Sequence, residues 1–326
     1  MPLKKTKTLS LKITLKNMNN PLLNKLVLGT VELGLPYGLN NQSGQPSLKE
    51  SFSILDTAFS NGINTFDTAF SYGHAEDILG EWIKSRNLKN KIKIISKLKP
   101  HVLNNYTDGI KAEYIIKKEI TKSLKRLNLD QLDGYLLHSP FYIYLDHVVN
   151  GLKKSKSNGL IKNFGVSIYD ETEALYAASL PVDYIQIPYN IFDQRLDHTN
   201  FFSLAKKNNI TVFARSPFLQ GLLLIPLKKI PSHLNHAKPI LKELNEYLNR
   251  YNISPLIASL AFTLKNPSLN YIVFGNNTIS EIKENLLVAT NIPPLPNDFF
   301  SFIKTKFSET EKTIITPSLW KTPKKK

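Results

Sequence analysis

The chain has 326 residues, 42% of them hydrophobic, and a formal net charge of +16. It contains no cysteine, which excludes a disulfide framework, a cysteine-ligated zinc site and a thiol nucleophile, and fits a reducing cytoplasm. No apolar run reaches the roughly 20 residues that a membrane helix needs, so no membrane partner is expected.

The positive charge is spread along the chain and is densest in the terminal segment "KTPKKK" at 321–326, which we interpret as a solvated tail. A nucleic-acid partner is therefore not expected. The basic balance instead favours an anionic small molecule or the phosphates of a cofactor.

The first predicted element is a short strand in "LSLKITLKNM" at 9–18, where polar and apolar residues alternate. Eight buried strands rich in Val, Ile, Leu and Phe follow it. They are predicted at 25–30, 64–67, 92–98, 132–138, 162–167, 183–188, 211–216 and 271–275.

Amphipathic helices are predicted between these strands. The first occupies 47–62, with Ser47 as its cap and Gly62 at its end. Further examples lie at 112–128, 201–209, 241–252 and 280–291. Eight alternating units without a linker predict an α/β fold of the (β/α)8 (TIM barrel) type.

We expect one domain over 1–326. Its barrel core covers about 25–290, preceded by the short N-terminal strand, and a C-terminal extension with short helices covers 291–326. No Gly-rich dinucleotide motif follows any strand, so a Rossmann fold is not predicted.

Polar residues end several predicted strands, where a barrel of this kind carries its chemistry. Asp67 ends strand two, Tyr72 lies in the following loop, Lys97 lies near the end of strand three, and His138 ends strand four. Each alone has a structural interpretation; Asp67, for example, would cap the helix that begins near His74. Their position at one face of successive strands predicts a shared site.

These four residue types suit the protonation of an oxyanion while hydride arrives from a nicotinamide. The pKa of a tyrosine is ordinarily about 10, and an adjacent ammonium favours the phenolate. A carboxylate would hold that lysine in place, and a histidine would orient a carbonyl oxygen or relay a proton. Paired carboxylates and histidine clusters are missing at the strand ends, so no metal site is predicted.

The segments "FDTAFSYG", "IISKL", "LDGYLLHSP", "NGLIKNFGVS", "YIQIPYN", "ARSPFLQGLL" and "VFGNNTISEIKENL" follow one another along the chain. In this order, over about 25–290, the chain resembles the aldo-keto reductase superfamily. It is most similar to bacterial members associated with surface-polysaccharide biosynthesis, on the segments "LVLGTVELGLPYGLNNQSGQPS", "RSPFLQGLLL" and "PSLW".

The resemblance implies that Tyr72 donates a proton to a carbonyl, that Lys97 and Asp67 tune it, and that His138 orients the substrate. It also implies NADP(H) or NAD(H), bound extended across the barrel mouth. The implied cofactor-binding residues are Thr30, Ser167, Gln186, Arg215, Ser216, Phe218, Gln220, Gly221, Gly275, Asn276, Asn277, Glu281, Glu284 and Asn285.

Within this set, Ser167 and Gln186 would bind the nicotinamide carboxamide. Segment 215–221 would wrap the pyrophosphate through Ser216 and backbone amides, and segment 275–285 would hold the adenosine end.

Three residues depart from the common family pattern. Ile168 replaces an asparagine that helps to bind the carboxamide, and Arg215 replaces an aromatic residue under the nicotinamide. Glu281 stands where an Arg or Gln commonly meets the 2′-phosphate of NADPH. Its carboxylate would repel a phosphate and accept from a ribose hydroxyl, unless it only faces solvent. We therefore expect weak discrimination between NADPH and NADH, or a preference for NADH.

The expected partner is a small carbonyl substrate, and a sugar-type compound suits the mixture of amide and aromatic residues in the loops. These residues are Tyr37, Asn40, Asn41, Gln42, Phe141, Tyr142 and Trp320. A monomer or a small homo-oligomer in the cytoplasm is expected. Two alternatives stay open, a nicotinamide-binding regulatory or sensor subunit and a metal-dependent isomerase or hydrolase.

Overall fold

Eight parallel strands close into a barrel in which each strand pairs with the next one along the chain and the last pairs with the first. They are β1 (Leu26–Gly29), β2 (Thr65–Asp67), β3 (Lys93–Leu98), β4 (Leu132–Leu137), β5 (Ile161–Ser167), β6 (Tyr184–Pro188), β7 (Thr211–Arg215) and β8 (Tyr271–Phe274). All eight predicted strands, and with them the (β/α)8 fold, are confirmed, each to within one residue at either end.

The computed structural model describes residues 21–39, 41, 43–103 and 107–320. The strand predicted at 9–18, the loop residues Asn40 and Gln42, and the basic tail 321–326 lie outside the described residues. Within the described ranges no helix is both long enough and apolar enough to cross a membrane.

Helices connect the strands and cover the outside of the barrel. They are α1 (Val31–Gly34), α2 (Leu48–Ser60), α3 (Ala75–Arg86), α4 (Gly109–Leu127), α5 (Asp146–Ser157), α6 (Glu171–Ala178), α7 (Phe201–Lys207), α8 (Lys238–Arg250), α9 (Pro255–Leu264), α10 (Ile279–Thr290), α11 (Phe299–Phe307) and α12 (Lys312–Ile315). The last two form the short helices expected in the C-terminal extension.

The predicted cap of α2 is confirmed. The hydroxyl of Ser47 accepts a hydrogen bond from the Glu50 amide, and the Glu50 carboxylate accepts one from the Ser47 amide. This reciprocal pair satisfies two backbone donors that the first turn of a helix otherwise leaves without partners.

Helix α9 was not predicted. Ser254 caps it, and seven of its residues from Ala258 to Leu264 are buried in an unbroken run. Because apolar residues surround the helix on nearly every side, no amphipathic period marks it in the sequence.

Two buried apolar clusters hold the barrel together. The smaller one contains strand residues only, namely Val27, Ile95, Leu136, Phe213 and Val273. The larger one combines strand and helix residues. Side chains alternate between the two faces of a strand, so the smaller cluster fills the barrel and the larger one lies between sheet and helices. The interior formed by the described strands is therefore packed, which leaves the mouth of the barrel as the place for a ligand.

Candidate active site at the barrel mouth

A cavity of about 530 Å³ opens at the carboxyl ends of the strands. Most of the predicted site residues line it. They are Asp67, Tyr72, His138, Ser167, Gln186, Arg215, Ser216, Phe218, Gln220, Gly221, Gly275, Asn277, Glu281, Glu284 and Asn285. Lys97, Thr30 and Asn276 lie behind this lining and are buried.

Lys97 of β3 joins the predicted proton-transfer residues into one network. Its ammonium donates to Asp67 Oδ1 at 2.6 Å, to the carbonyl oxygen of Thr68 at 3.0 Å and to the phenol oxygen of Tyr72 at 3.2 Å. An ammonium has three N–H donors, and all three are used here. Because Lys97 donates to the phenol oxygen, the phenol hydrogen is directed elsewhere.

Asp67 does not cap the next helix. Helix α3 begins after His74 without any side-chain cap, and the Asp67 carboxylate instead points to Lys97. Thr30 fixes the backbone of Asp67, because its amide and its hydroxyl donate to the Asp67 carbonyl oxygen at 3.0 and 3.1 Å. Thr30 was predicted to contact the cofactor. It is fully buried behind the cavity lining, where it positions Asp67, and its contact with the cofactor stays a prediction.

Gln186 of β6 holds the second oxygen of Asp67. Its Nε2 donates to Asp67 Oδ2 at 2.8 Å, and its Oε1 accepts from the Ser167 hydroxyl at 3.2 Å. Both residues were predicted to bind a carboxamide, and both line the cavity. The structure adds a role that the sequence did not suggest, since Gln186 completes the hydrogen bonding of a buried carboxylate. One Nε2 hydrogen and one Oε1 lone pair of Gln186 remain for a ligand.

The pKa of Tyr72 runs opposite to the expectation from a neighbouring ammonium. Burial, followed by the Asp67 carboxylate, raises the pKa of Tyr72 well above its ordinary value. Burial also lowers the pKa of Lys97, which Asp67 opposes. The phenolate that we expected is therefore disfavoured, and Tyr72 keeps its proton until an acceptor reaches it.

His138 lies beside Tyr72, with the ring centroids 5.8 Å apart and the rings perpendicular. Its Nδ1 is buried without a hydrogen-bond partner. Burial, with the charges of Lys97 and Arg215, lowers the pKa of His138 to about 3. The imidazole is therefore neutral at pH 7 and can donate a hydrogen bond from one ring nitrogen without carrying charge.

Arg215 ends β7 and replaces the expected aromatic residue. One guanidinium nitrogen donates to the carbonyl oxygen of Ile168 at 3.0 Å, and the group lies over the ring of Tyr169 at 4.8 Å. Ile168 itself is buried. Arg215 thus presents a fixed, planar cation at the cavity wall.

The segment after Arg215 curves tightly along the cavity. Leu219, Gln220 and Gly221 have left-handed backbone angles, with φ of 48°, 53° and 92°. The amides of Leu219 and Gly221 donate to the carbonyl oxygens of Ser216 and Phe218. Some of the amides that the family resemblance offers to a pyrophosphate are therefore already paired within the segment.

Glu281 does not merely face solvent. It accepts from the amides of Asn277 at 2.7 Å and Thr278 at 3.3 Å, and the Thr278 hydroxyl accepts from the Glu281 amide. This capping box begins α10, and the carboxylate also lines the cavity. The signal was present in the sequence as Thr278 followed three positions later by a glutamate.

Two asparagines before α10 have polar atoms without partners. Asn276 accepts from Asn285 at 2.7 Å, yet its Nδ2 is buried and unpaired, as is Oδ1 of Asn277. Buried polar groups are ordinarily hydrogen-bonded, so these atoms indicate a ligand. Together with the elongated lining from Gln186 to Asn285, they fit a dinucleotide such as NAD(P)H.

Sequence reasoning missed Glu32 of α1. Its carboxylate is about nine-tenths buried, lines the cavity, and has no partner for Oε2. Burial, and to a smaller extent the charge of Glu281, raises the pKa of Glu32 to about 7. A single acid in a four-residue helix carries no motif, which is why no pattern pointed to it.

The loop residues expected to meet the substrate differ in their placement. Tyr37 and Asn41 line the cavity. Tyr142 was predicted there wrongly, because it is buried and its hydroxyl bonds the backbone of Leu103 at 3.0 Å. The indole of Trp320 donates to the carbonyl oxygen of Ile314 at 3.0 Å, and the tail lines the cavity through residues 315–318 instead.

Comparison with known proteins identifies the family. The model of the Aldo/keto reductase family matches residues 25–306. The uncharacterized oxidoreductase YqkF of Bacillus subtilis is 28% identical over 285 residues, which is 81% of this chain and 90% of that protein. The NADH-specific methylglyoxal reductase of Escherichia coli is 27% identical, covering 71% of this chain and 79% of that protein.

Among solved structures, the aldo-keto reductase AKR11C1 from Bacillus halodurans, in its holo form, superposes with a TM-score of 0.71. It is 23% identical, and the match covers 89% of this chain and 95% of that one. This likeness concerns the fold.

Proposed function

The chain belongs to the aldo/keto reductase family, and from this premise we propose that Tyr72 protonates the oxygen of a substrate carbonyl. The protein is an NAD(P)H-dependent oxidoreductase that reduces carbonyl compounds. NAD(P)H, when bound, would supply the hydride. The observation that carries the proposed role of Tyr72 is the hydrogen bond from Lys97 to its phenol oxygen, at 3.2 Å.

That hydrogen bond gives the proton a direction. The phenol oxygen is occupied by Lys97 on the buried side, so its own hydrogen points into the cavity that Tyr72 lines. When negative charge develops on the substrate oxygen, Tyr72 donates its proton and Lys97 stabilises the phenolate left behind. Asp67, held by both Lys97 and Gln186, keeps the ammonium in place.

The neutral imidazole of His138 completes the carbonyl site. It lies next to Tyr72, so both side chains reach one substrate oxygen from adjacent directions. A neutral donor can hydrogen-bond the carbonyl oxygen of the substrate. This hydrogen bond strengthens as negative charge develops on that oxygen in the transition state.

The test of this assignment is oxidation of NADH or NADPH in the presence of a generic aldehyde. We expect turnover in the wild-type protein and its loss in Tyr72→Phe, with cofactor binding retained. Turnover that survives this substitution would contradict the role of Tyr72. Binding of the cofactor without turnover in the wild type would favour the regulatory or sensor alternative.

We further propose that NADH serves at least as well as NADPH. Among the described residues that line the cavity, the lysines and arginines are Arg195 and Arg215, whereas the α10 end carries Glu281 and Glu284. A 2′-phosphate near these carboxylates is repelled. The E. coli relative is named NADH-specific, which agrees. Fluorescence titration measures both dissociation constants; a hundredfold preference for NADPH would contradict this proposal.

A sugar-type carbonyl is the substrate class that we propose. Tyr37 and Asn41 line one wall and Tyr169 another, combining ring faces and an amide as carbohydrate sites do. The net charge of +16 suits an anionic group such as the phosphate of a nucleotide sugar, whereas Arg195 in the cavity lining is already paired with Asp193 and Glu171. A substrate panel of simple aldehydes, methylglyoxal, free keto-sugars and nucleotide-linked keto-sugars tests this. The highest kcat/KM for a simple aldehyde would overturn it.

A further inference from the structure

Glu32 is the buried acid of the cavity that neither hydride transfer nor proton transfer uses. It belongs to the four-residue helix α1, directly after β1. Its carboxylate lies against the backbone of Gly275, where a side chain of any other residue would meet it. The carboxylate thus takes up the space that the glycine leaves at the cavity wall, with Oε2 unpartnered.

Among the described residues, the titratable groups that act on the charge of Glu32 are one carboxyl group and two phenols. Glu281 lies on α10, while Tyr37 and Tyr72 lie in the loops after α1 and β2, and each of the three is coupled to the charge of Glu32. The cations of the described cavity lining, Arg195 and Arg215, come from the β6 and β7 side of the barrel. A buried carboxylate among acids is costly when it is ionised, unless a proton or a donor reaches it.

We propose that Glu32 binds the dinucleotide cofactor as a neutral carboxylic acid, donating its hydrogen to an anionic oxygen of the cofactor, so that binding takes up one proton from solvent. This inference rests on the proposed cofactor binding at this cavity. In the free protein at alkaline pH, Glu32 is ionised. Cofactor phosphates bring further negative charge beside it, and the ionised form becomes less favourable still.

The pKa of Glu32 also supports proton uptake on binding. Burial, and the nearby Glu281, already raise the pKa of Glu32 to about 7 in the free protein. An anion bound next to the carboxyl raises its pKa further. At pH values above 7, the Glu32 carboxyl group is therefore ionised in the free protein and protonated in the complex. This difference is the condition for proton uptake on binding.

An ionised Glu32 in the complex would reverse both the proton exchange and the pH dependence of binding. An ionised Glu32 would accept from a ribose hydroxyl, as acids do in other dinucleotide sites. Binding would then be accompanied by release of the proton, and affinity would improve as pH rises. Proton release on binding therefore overturns the proposal.

The experiment is calorimetric titration of the full chain with NADH between pH 7 and 8.5, in pairs of buffers with different ionisation enthalpies. NADH is the probe because its pyrophosphate stays ionised over this range and it has no 2′-phosphate to titrate. We expect uptake approaching one proton at pH 8.5, and a dissociation constant that rises by up to about tenfold per pH unit.

Three variants assign the proton. Glu32→Gln keeps the shape of the side chain and a hydrogen-bond donor, so we expect proton uptake to vanish. The dissociation constant of NADH should then change less than about twofold between pH 7 and 8.5. At pH 8.5 this variant should bind NADH more tightly than the wild type does. Glu281→Gln keeps the cap but removes the neighbouring charge, which shifts the uptake curve to lower pH. Glu246→Gln, on the exposed surface of α8, is the matched control and leaves uptake unchanged.

The outcomes distinguish a failure of this inference from a failure of the proposed function on which it rests. Uptake that persists in Glu32→Gln, or no uptake in the wild type, overturns the inference and leaves carbonyl reduction intact. Failure of both NADH and NADPH to bind overturns the proposed cofactor site and the inference together.

Discussion

The two sides of the barrel mouth differ in how far their polar groups satisfy one another. On the β2–β4 side, Lys97 uses all three donors, and both oxygens of Asp67 are bonded. On the β8–α10 side, Asn276 and Asn277 keep buried polar atoms without partners. We call these the proton side and the cofactor side.

The difference indicates two kinds of site. The Asp67–Lys97 pair of the proton side is preorganised, because its hydrogen bonds are complete within the protein and do not depend on a ligand, whereas Nδ1 of His138 beside it has no partner. On the cofactor side, a ligand that satisfies the orphaned atoms contributes directly to stability by mass action. The proton side should therefore respond to substitution in rate, and the cofactor side in affinity.

The sharpest separation is expected from Tyr72→Phe. The phenol is the proposed proton donor, so we expect kcat to fall by about a thousandfold. Cofactor binding should change less than about threefold, since no cofactor-side residue is altered. Steady-state kinetics with a generic aldehyde and a nicotinamide fluorescence titration measure the two effects. A loss of affinity equal to the loss of rate would break the distinction.

Lys97→Met tests whether the proton side is a single unit. It leaves Asp67 buried and without its cation, so we expect the free energy of unfolding to drop by about 3–5 kcal/mol and kcat to fall about a hundredfold. Urea denaturation and initial rates give both numbers. The double variant Asp67→Asn, Lys97→Met is the control, which should recover stability without recovering activity.

Glu281→Gln probes the cofactor side alone. The amide preserves the capping box of α10, so stability should hold, while one carboxylate charge is removed from the cavity. Near the surface such a charge contributes about 1 kcal/mol, so we expect the affinity for NADPH to improve about fivefold relative to NADH. Parallel titrations at pH 7 measure the ratio. An unchanged ratio would place the 2′-phosphate away from Glu281.

His138 offers a test that is visible in stability rather than in rate. Its pKa is about 3 in the fold against 6.5 ordinarily, so between these values the unfolded chain binds a proton that the folded chain does not. Stability is therefore complete above pH 6.5 and falls as pH drops, by at most about 1.4 kcal/mol per pH unit. Urea unfolding between pH 4.5 and 7 gives the free energy of unfolding at each pH. We expect this free energy to depend less steeply on pH in His138→Gln than in the wild type. An identical slope in both proteins would contradict the lowered pKa.

The strands and the residues of the proton side were predictable because a short stretch of sequence marks each of them. Buried apolar runs marked every strand, and the residue at the end of each run identified Asp67 and His138. Gln186 escaped as a partner of Asp67 because β6 and β2 meet only through the closed barrel interior, 119 residues apart. Glu32 escaped because burial against Gly275 is a property of packing between β1 and β8, which no single segment encodes.

Helix α1 touches both sides at once. Gly34 lies so close to the carbonyl of Tyr72 that a Cβ would clash with it, and Glu32, two residues earlier, lies against Gly275. One helical turn therefore sets the distance between the proton donor and the cofactor wall. Changes of cofactor preference should accumulate in α10, where they are independent of turnover, whereas mutations at 31–34 will alter turnover and cofactor preference together and persist rarely during divergence.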